Sequence, residues 1–132
     1  MNRALRALLN RVLGDEGERA AARHLKSRGM RVILRGYRTA LGEVDLIARD
    51  GDTLVFVEVK TRRAGHPVEA VTEEKQRRLT MAALHFLRRH RVLEQKCRFD
   101  VVALVWPAAG LAPAIEYYQN AFEPPGRWQF FR

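Results

Sequence analysis

The chain carries one cysteine, Cys97, in 132 residues, so it cannot form an internal disulfide. That fits a reducing compartment, and a cytoplasmic location is expected. No apolar run approaches the ~20 residues of a membrane-spanning helix, so integral membrane association is not expected. The segment from Met1 to Leu13 is interrupted by Arg3, Arg6 and Arg11. It therefore lacks the unbroken apolar centre of a secretion signal. His24, His66, His85 and His90 show no metal-ligand spacing, which points them to surface or packing roles. Repeats, low-complexity tracts and linkers are absent, and a chain of this length forms one domain around one core. Acidic residues are also scarce: 15 Asp and Glu stand against 24 Lys and Arg, for a net charge of +9. Such an excess favours polyanions, namely DNA, RNA or an anionic membrane surface.

The hydrophobic residues, 47% of the chain, are patterned. Asn2 to Val12 reads as a short basic amphipathic helix, with Gly14 as an interruption. Asp15 then caps a second helix, Glu16 to Arg28, ended by Gly29. Glu18 shares the stripe of Ala22 and Leu25, an unusual place for a carboxylate. Arg31 to Arg38, Gly42 to Arg49 and Thr53 to Thr61 read as strands, with a hairpin signal at Asp50-Gly51. Thr72 caps a helix running to about Arg91, with Glu73 and Glu74 in its first turn. Phe99 to Trp106 and Ala114 to Tyr118 complete the order α-β-β-β-α-β-β. That order predicts an α/β fold, a central mixed β-sheet flanked by α-helices. Residues 1–13 form a basic N-terminal segment, 14–122 the main domain, and 123–132 an aromatic tail.

The chemistry concentrates on two strands. Alternation puts Leu54, Phe56, Glu58 and Lys60 on one face of the third strand. It puts Glu43, Asp45 and Ile47 on one face of the second. A two-residue turn at Asp50-Gly51 sets Glu58 diagonal to Asp45, about 7 Å away. A four-residue turn sets Asp45 directly opposite Glu58. Two carboxylates about 5 Å apart repel by roughly 3 kcal/mol at an effective dielectric near 20. Lys60 offsets part of this, and a hard divalent cation, Mg²⁺ or Mn²⁺, offsets the rest. Asp followed by Glu-x-Lys is thus a pattern for metal-dependent phosphodiester hydrolysis. Glu18 is a candidate outer carboxylate. Arg62, Arg63, Lys75 and Arg78 are candidates for phosphate contacts. Asp100 reads as structural, and Glu43 as either a supporting group or an alternate ligand.

The segments Leu41-Gly42-Glu43-Val44-Asp45-Leu46-Ile47 and Val55-Phe56-Val57-Glu58-Val59-Lys60-Thr61-Arg62 resemble the signature of the small bacterial YraN family. Gly17-Glu18, Lys75, Arg98-Phe99-Asp100-Val101 and Asn120-Ala121-Phe122 extend the likeness from about Gly14 to Phe122. That family is a branch of the PD-(D/E)-x-K nuclease superfamily and is similar to archaeal Holliday junction resolvases. The resemblance implies a restriction-endonuclease-like fold. It implies Asp45 and Glu58 as metal ligands, often with the Val59 carbonyl. It further implies Lys60 as the catalytic lysine and Glu18 as the helical acid of the resolvase branch. Val44 stands where many members have proline.

The expected activity is therefore a divalent-metal-dependent DNA endonuclease, with branched DNA as the first substrate class. A junction substrate implies a homodimer, because two strands must be cut symmetrically. The alternative is a non-catalytic nucleic-acid-binding protein of the same fold. A third reading uses the basic N-terminal helix and the aromatic tail on a membrane surface or in an assembly.

Overall fold

The computed structural model describes residues 2–65, 71–107 and 112–123, with the side chains of 6–14 outside that description. The aromatic tail from 124 onwards and His66 also lie outside the described residues.

Seven elements follow in the expected order: α1 (Arg3–Ser27), β1 (Arg31–Thr39), β2 (Gly42–Asp50), β3 (Thr53–Arg63), α2 (Glu73–Arg89), β4 (Cys97–Trp106) and β5 (Ala114–Tyr118). The five strands form one sheet in sequential order, β1-β2-β3-β4-β5. β1, β2 and β3 are an antiparallel meander, β4 runs parallel to β3, and β5 returns antiparallel. Two neighbouring parallel strands need a crossover, and α2 supplies it. The result is the α/β, restriction-endonuclease-like arrangement, a mixed sheet with a helix on each face. Among the described residues, no helix is long and apolar enough to cross a membrane.

Each face carries its own core. Leu79, Ala82, Ala83, Phe86 and Leu87 of α2 pack on Val44, Ile47, Leu54, Phe56 and Phe99. Ala21, Ala22 and Leu25 of α1 pack on Leu46, Ala48, Val55, Val57, Val102 and Leu104. The Thr72 side chain accepts the Lys75 N–H, so α2 begins where its capping residue predicts.

Two local expectations differ from the structure. First, α1 is continuous through Gly14 instead of breaking there. A glycine inside a helix costs only about 1 kcal/mol against alanine, which is too little to stop good helix formers on both sides. Second, the β2–β3 turn is Gly51-Asp52, not Asp50-Gly51. Asp50 pairs with Thr53 and Arg49 with Leu54. Gly51 takes φ +60, a left-handed conformation that favours glycine. This is the register of the longer-turn alternative, and its continuation brings Asp45 opposite Glu58.

Candidate active site

β2 pairs with β1 along most of its length but with β3 only from Leu46 to Asp50. Beyond Val57, β3 keeps β4 as its partner and parts from β2. The opening frees main-chain groups on the edge of β3. Asp45 fills that position: its Oδ2 accepts the Val59 N–H at 2.8 Å. In an extended strand the N–H and C=O of one residue point to the same edge. The Val59 carbonyl therefore opens onto the same gap.

The parting of the strands also breaks the alternation of β2. Val44 and Ile47 both pack on the α2 side, whereas Leu46 and Ala48 pack on the α1 side. A regular strand would put Val44 with Leu46. The expected sharing of one face by Glu43, Asp45 and Ile47 does not hold, because β2 turns at Asp45. This orientation lets Asp45 meet charges from both faces of the sheet.

Two glycines set the helices close to this point. A Cβ on Gly17 would sit 3.0 Å from Thr61 Cγ2 and 3.1 Å from Leu104 Cδ1, so α1 lies flat on β3 and β4 there. Glu18 follows immediately. A Cβ on Gly42 would fall 1.9 Å from the Arg78 carbonyl oxygen, so the start of β2 presses on the backbone of α2. That contact brings Lys75 and Arg78 beside Glu58. Arg38, Glu43, Glu58, Lys75 and Arg78 line a groove of about 300 Å³ together with the β1–β2 turn.

The electrostatics follow from this crowding. Continuing the β2–β3 register sets Asp45 opposite Glu58, and each carboxyl perturbs the other. Burial pushes the Glu58 carboxyl up to about 8, with the Asp45 charge and hydrogen bond adding to it and Lys75 and Lys60 opposing it. Burial also raises Asp45, against the opposing hydrogen bonds from Val59 N–H and Glu58. Both shifts run the same way, towards keeping a proton on the pair. Glu18 is raised as well, first by burial and then by the charges of Asp45 and Asp15. Paired carboxyl groups that retain a proton in this way are a place where a cation would replace that proton.

Asp45, Glu58 and the Val59 carbonyl form an all-oxygen donor set, which suits a hard cation. Among the described residues, no three His, Cys, Asp or Glu side chains converge as a metal-binding group. Mg²⁺ is commonly held by one or two carboxylates with waters and phosphate oxygens, so the set fits Mg²⁺. It does not fit zinc, which takes nitrogen and sulfur ligands.

The other candidate residues divide. Lys75 and Arg78 line the groove, and the Lys75 charge acts on both Asp45 and Glu58. Arg62 instead faces β5, where it pairs with Glu116 at 3.4 Å. Arg63 is exposed at the end of β3, opposite Trp106. Asp100 is fully buried and accepts from Arg98 Nε at 3.1 and 3.2 Å, from the Asn120 N–H at 2.8 Å and from the Tyr117 hydroxyl. It lies opposite Val57, three residues before the partner of Lys60, and ties β4 to β5. The sequence reading missed Arg38, which enters the groove and pairs with Glu43 at 3.3 Å. Its signal was the symmetry of Arg38 and Glu43 about the Ala40-Leu41 turn.

The sequence profile of the uncharacterised protein family UPF0102 matches residues 17–104. A UPF0102 protein of Geobacter metallireducens is 44% identical over 120 residues, covering 89% of this chain and 97% of the relative. One from Rhodococcus opacus is 50% identical over 116 residues, covering 86% and 98%. One from Geobacter sulfurreducens is 50% identical over 117 residues, covering 86% and 91%.

The chain belongs to the UPF0102 family.

This is the YraN-like group that the sequence resembles. The UPF0102 match opens at Gly17, the residue seated on Thr61, and closes at Leu104 in β4. It thus includes Glu18, Asp45, Glu58, Lys60 and all of α2.

Proposed function

We propose that this protein is a divalent-metal-dependent endonuclease acting on DNA. The observation that carries the reading is Asp45, bonded to the Val59 N–H and set by the register opposite Glu58, at a point where β2 and β3 part beside two lysines. A partly buried carboxylate pair is costly without a function, and perturbed titration is common where chemistry is done.

Asp45 and Glu58, with the Val59 carbonyl, would hold Mg²⁺ or Mn²⁺. The bound ion would polarise the scissile phosphate and make water a better nucleophile. Lys60 lies on the Glu58 face of β3 and supplies positive charge where the phosphate gains negative charge. Glu18 approaches Asp45 from α1, and its carboxyl is raised by burial and by the Asp45 charge, so it would stand as an outer carboxylate of the site. Lys75 and Arg78 would grip the substrate backbone along the groove, fixing its position without reading bases. On a four-way junction, symmetric cutting requires two copies of the chain.

The test is cleavage of linear, flapped and four-way DNA with Mg²⁺ or Mn²⁺ by wild type, Asp45→Ala and Lys60→Ala. Metal-dependent cutting that disappears in both variants supports the endonuclease. Salt-sensitive binding with no cutting by any of them overturns it in favour of a non-catalytic nucleic-acid-binding protein.

A further inference from the structure

The β1–β2 hairpin ends in Ala40-Leu41, closed by the Thr39–Gly42 pair. Neither residue is one that turns usually select, such as Gly, Asn, Asp or Pro. The Thr39 hydroxyl holds the turn instead. It accepts the N–H of Leu41 at 3.2 Å and of Gly42 at 3.1 Å. Gly42, pressed on the Arg78 carbonyl, fixes the base of the hairpin against α2. The tip is therefore braced on both sides. It presents Leu41 with 61% of its surface exposed, the largest value among the exposed large hydrophobic residues described.

Two grooves meet at this turn. The catalytic groove, with Glu58, shares Arg38, Thr39 and Ala40 with a second groove of about 530 Å³. Leu41, Met81 and Leu84 give the second groove an apolar strip, and Arg88 and Arg89 line it as well. A rigid apolar tip between cationic walls matches the inside of a nucleic acid, where apolar base faces lie between phosphate backbones. It fits a second copy of this chain poorly, because the approaching surface would bring the same arginines at a net charge of +9.

The geometry points to Leu41 as a wedge that enters a base step of DNA and unstacks it beside the catalytic groove. Apolar side chains inserted between base steps kink a duplex in this way, and a junction or flap offers a step that is already weakened. The inference rests on the proposed DNA endonuclease and narrows its substrate to DNA whose bases must be parted at the cut.

The experiment uses the full chain in EDTA, so that binding is read without cutting. A four-way junction carries 2-aminopurine at its central step, because this base brightens when unstacked. Affinity is followed separately by fluorescence anisotropy, and oligomeric state by sedimentation velocity. Wild type is expected to raise the emission at least about threefold. Leu41→Ser is expected to bind within about threefold of wild type yet lose most of that rise, and Leu41→Phe to keep it. Leu41 is exposed, so both variants should fold, and a thermal melt verifies it.

An equal rise in Leu41→Ser, or binding by wild type with no rise, overturns the wedge and leaves the endonuclease standing. A change of oligomeric state in Leu41→Ser also overturns it, because Leu41 then covers a protein surface. If wild type binds no DNA at all, both readings fall together.

Discussion

Asp45 accepts the Val59 N–H at 2.8 Å where β2 and β3 separate, so one side chain both ends a ladder and anchors the candidate site. Two effects of changing it can be told apart. Asp45→Asn keeps an oxygen for Val59 and should melt within about 1 kcal/mol of wild type, whereas Asp45→Ala strands a main-chain donor at a cost of about 1–3 kcal/mol. Both should abolish metal-dependent cleavage. A stable Asp45→Asn protein that still cuts DNA would remove Asp45 from the chemistry.

Glu58 makes the metal-free protein pH-dependent. Its carboxyl is raised from 4.5 to about 8, chiefly by burial, so the folded state binds that proton more tightly than the unfolded chain. The contribution is intact below about pH 4.5 and is lost as pH rises towards 8. In EDTA, stability should fall across this window by on the order of 2 kcal/mol, several degrees of Tm. Glu58→Gln should flatten the profile, and Mg²⁺ at pH 8 should raise the Tm of wild type but not of the Gln variant. A flat wild-type profile in EDTA would contradict the raised Glu58 carboxyl.

Gly17 and Gly42 both mark close approaches, yet alanine should act differently at each. At Gly17 the new methyl meets two side-chain ends at 3.0 and 3.1 Å, which can yield, and the helix gains about 1 kcal/mol of propensity. The net change should be near zero. At Gly42 the methyl meets the Arg78 carbonyl at 1.9 Å, and the backbone must shift. A loss of roughly 3 kcal/mol is expected, with weaker DNA binding as β2 moves off α2. Denaturant melts of the two variants decide this, and equal losses would refute it.

Asp100 should govern stability and leave the chemistry alone. Asp100→Ala leaves the Arg98 charge without its buried partner, at an expected cost of about 3–5 kcal/mol. Tyr117→Phe removes one donor and should cost about 1–3 kcal/mol. Because both touch one network, the double mutant should lose less than the sum, as read in a denaturant double-mutant cycle.

Lys75 and Arg78 should each contribute close to one phosphate contact. Replacing either with Ala should lower the slope of log affinity against log salt by about 1. Arg62→Ala should leave the slope nearly unchanged, because Arg62 is directed to Glu116. Titrations over a range of salt concentrations by anisotropy separate the three.

The sequence by itself determined the element order, the two apolar faces of β3, the Thr72 cap and the candidate set of Asp45, Glu58 and Lys60. These follow from local rules: alternation, capping and the chemistry of residue types. It also set the net charge of +9, a sum that folding does not change, and with it the expectation of a polyanionic partner. Only the tertiary structure decided the register, because Asp50-Thr53 pairing depends on the backbone that Gly51 adopts and not on composition. It likewise decided that β2 turns at Asp45. Across from Asp45 the neighbouring strand bends at Gly36, φ +69, and no pattern within β2 records that bend. Arg62 and Lys75 look alike as basic residues in a sequence. The packing of α2 on Gly42 and of β5 on β4 turned one of them to the carboxylates and the other to Glu116, since a long side chain goes where its nearest opposite charge is held.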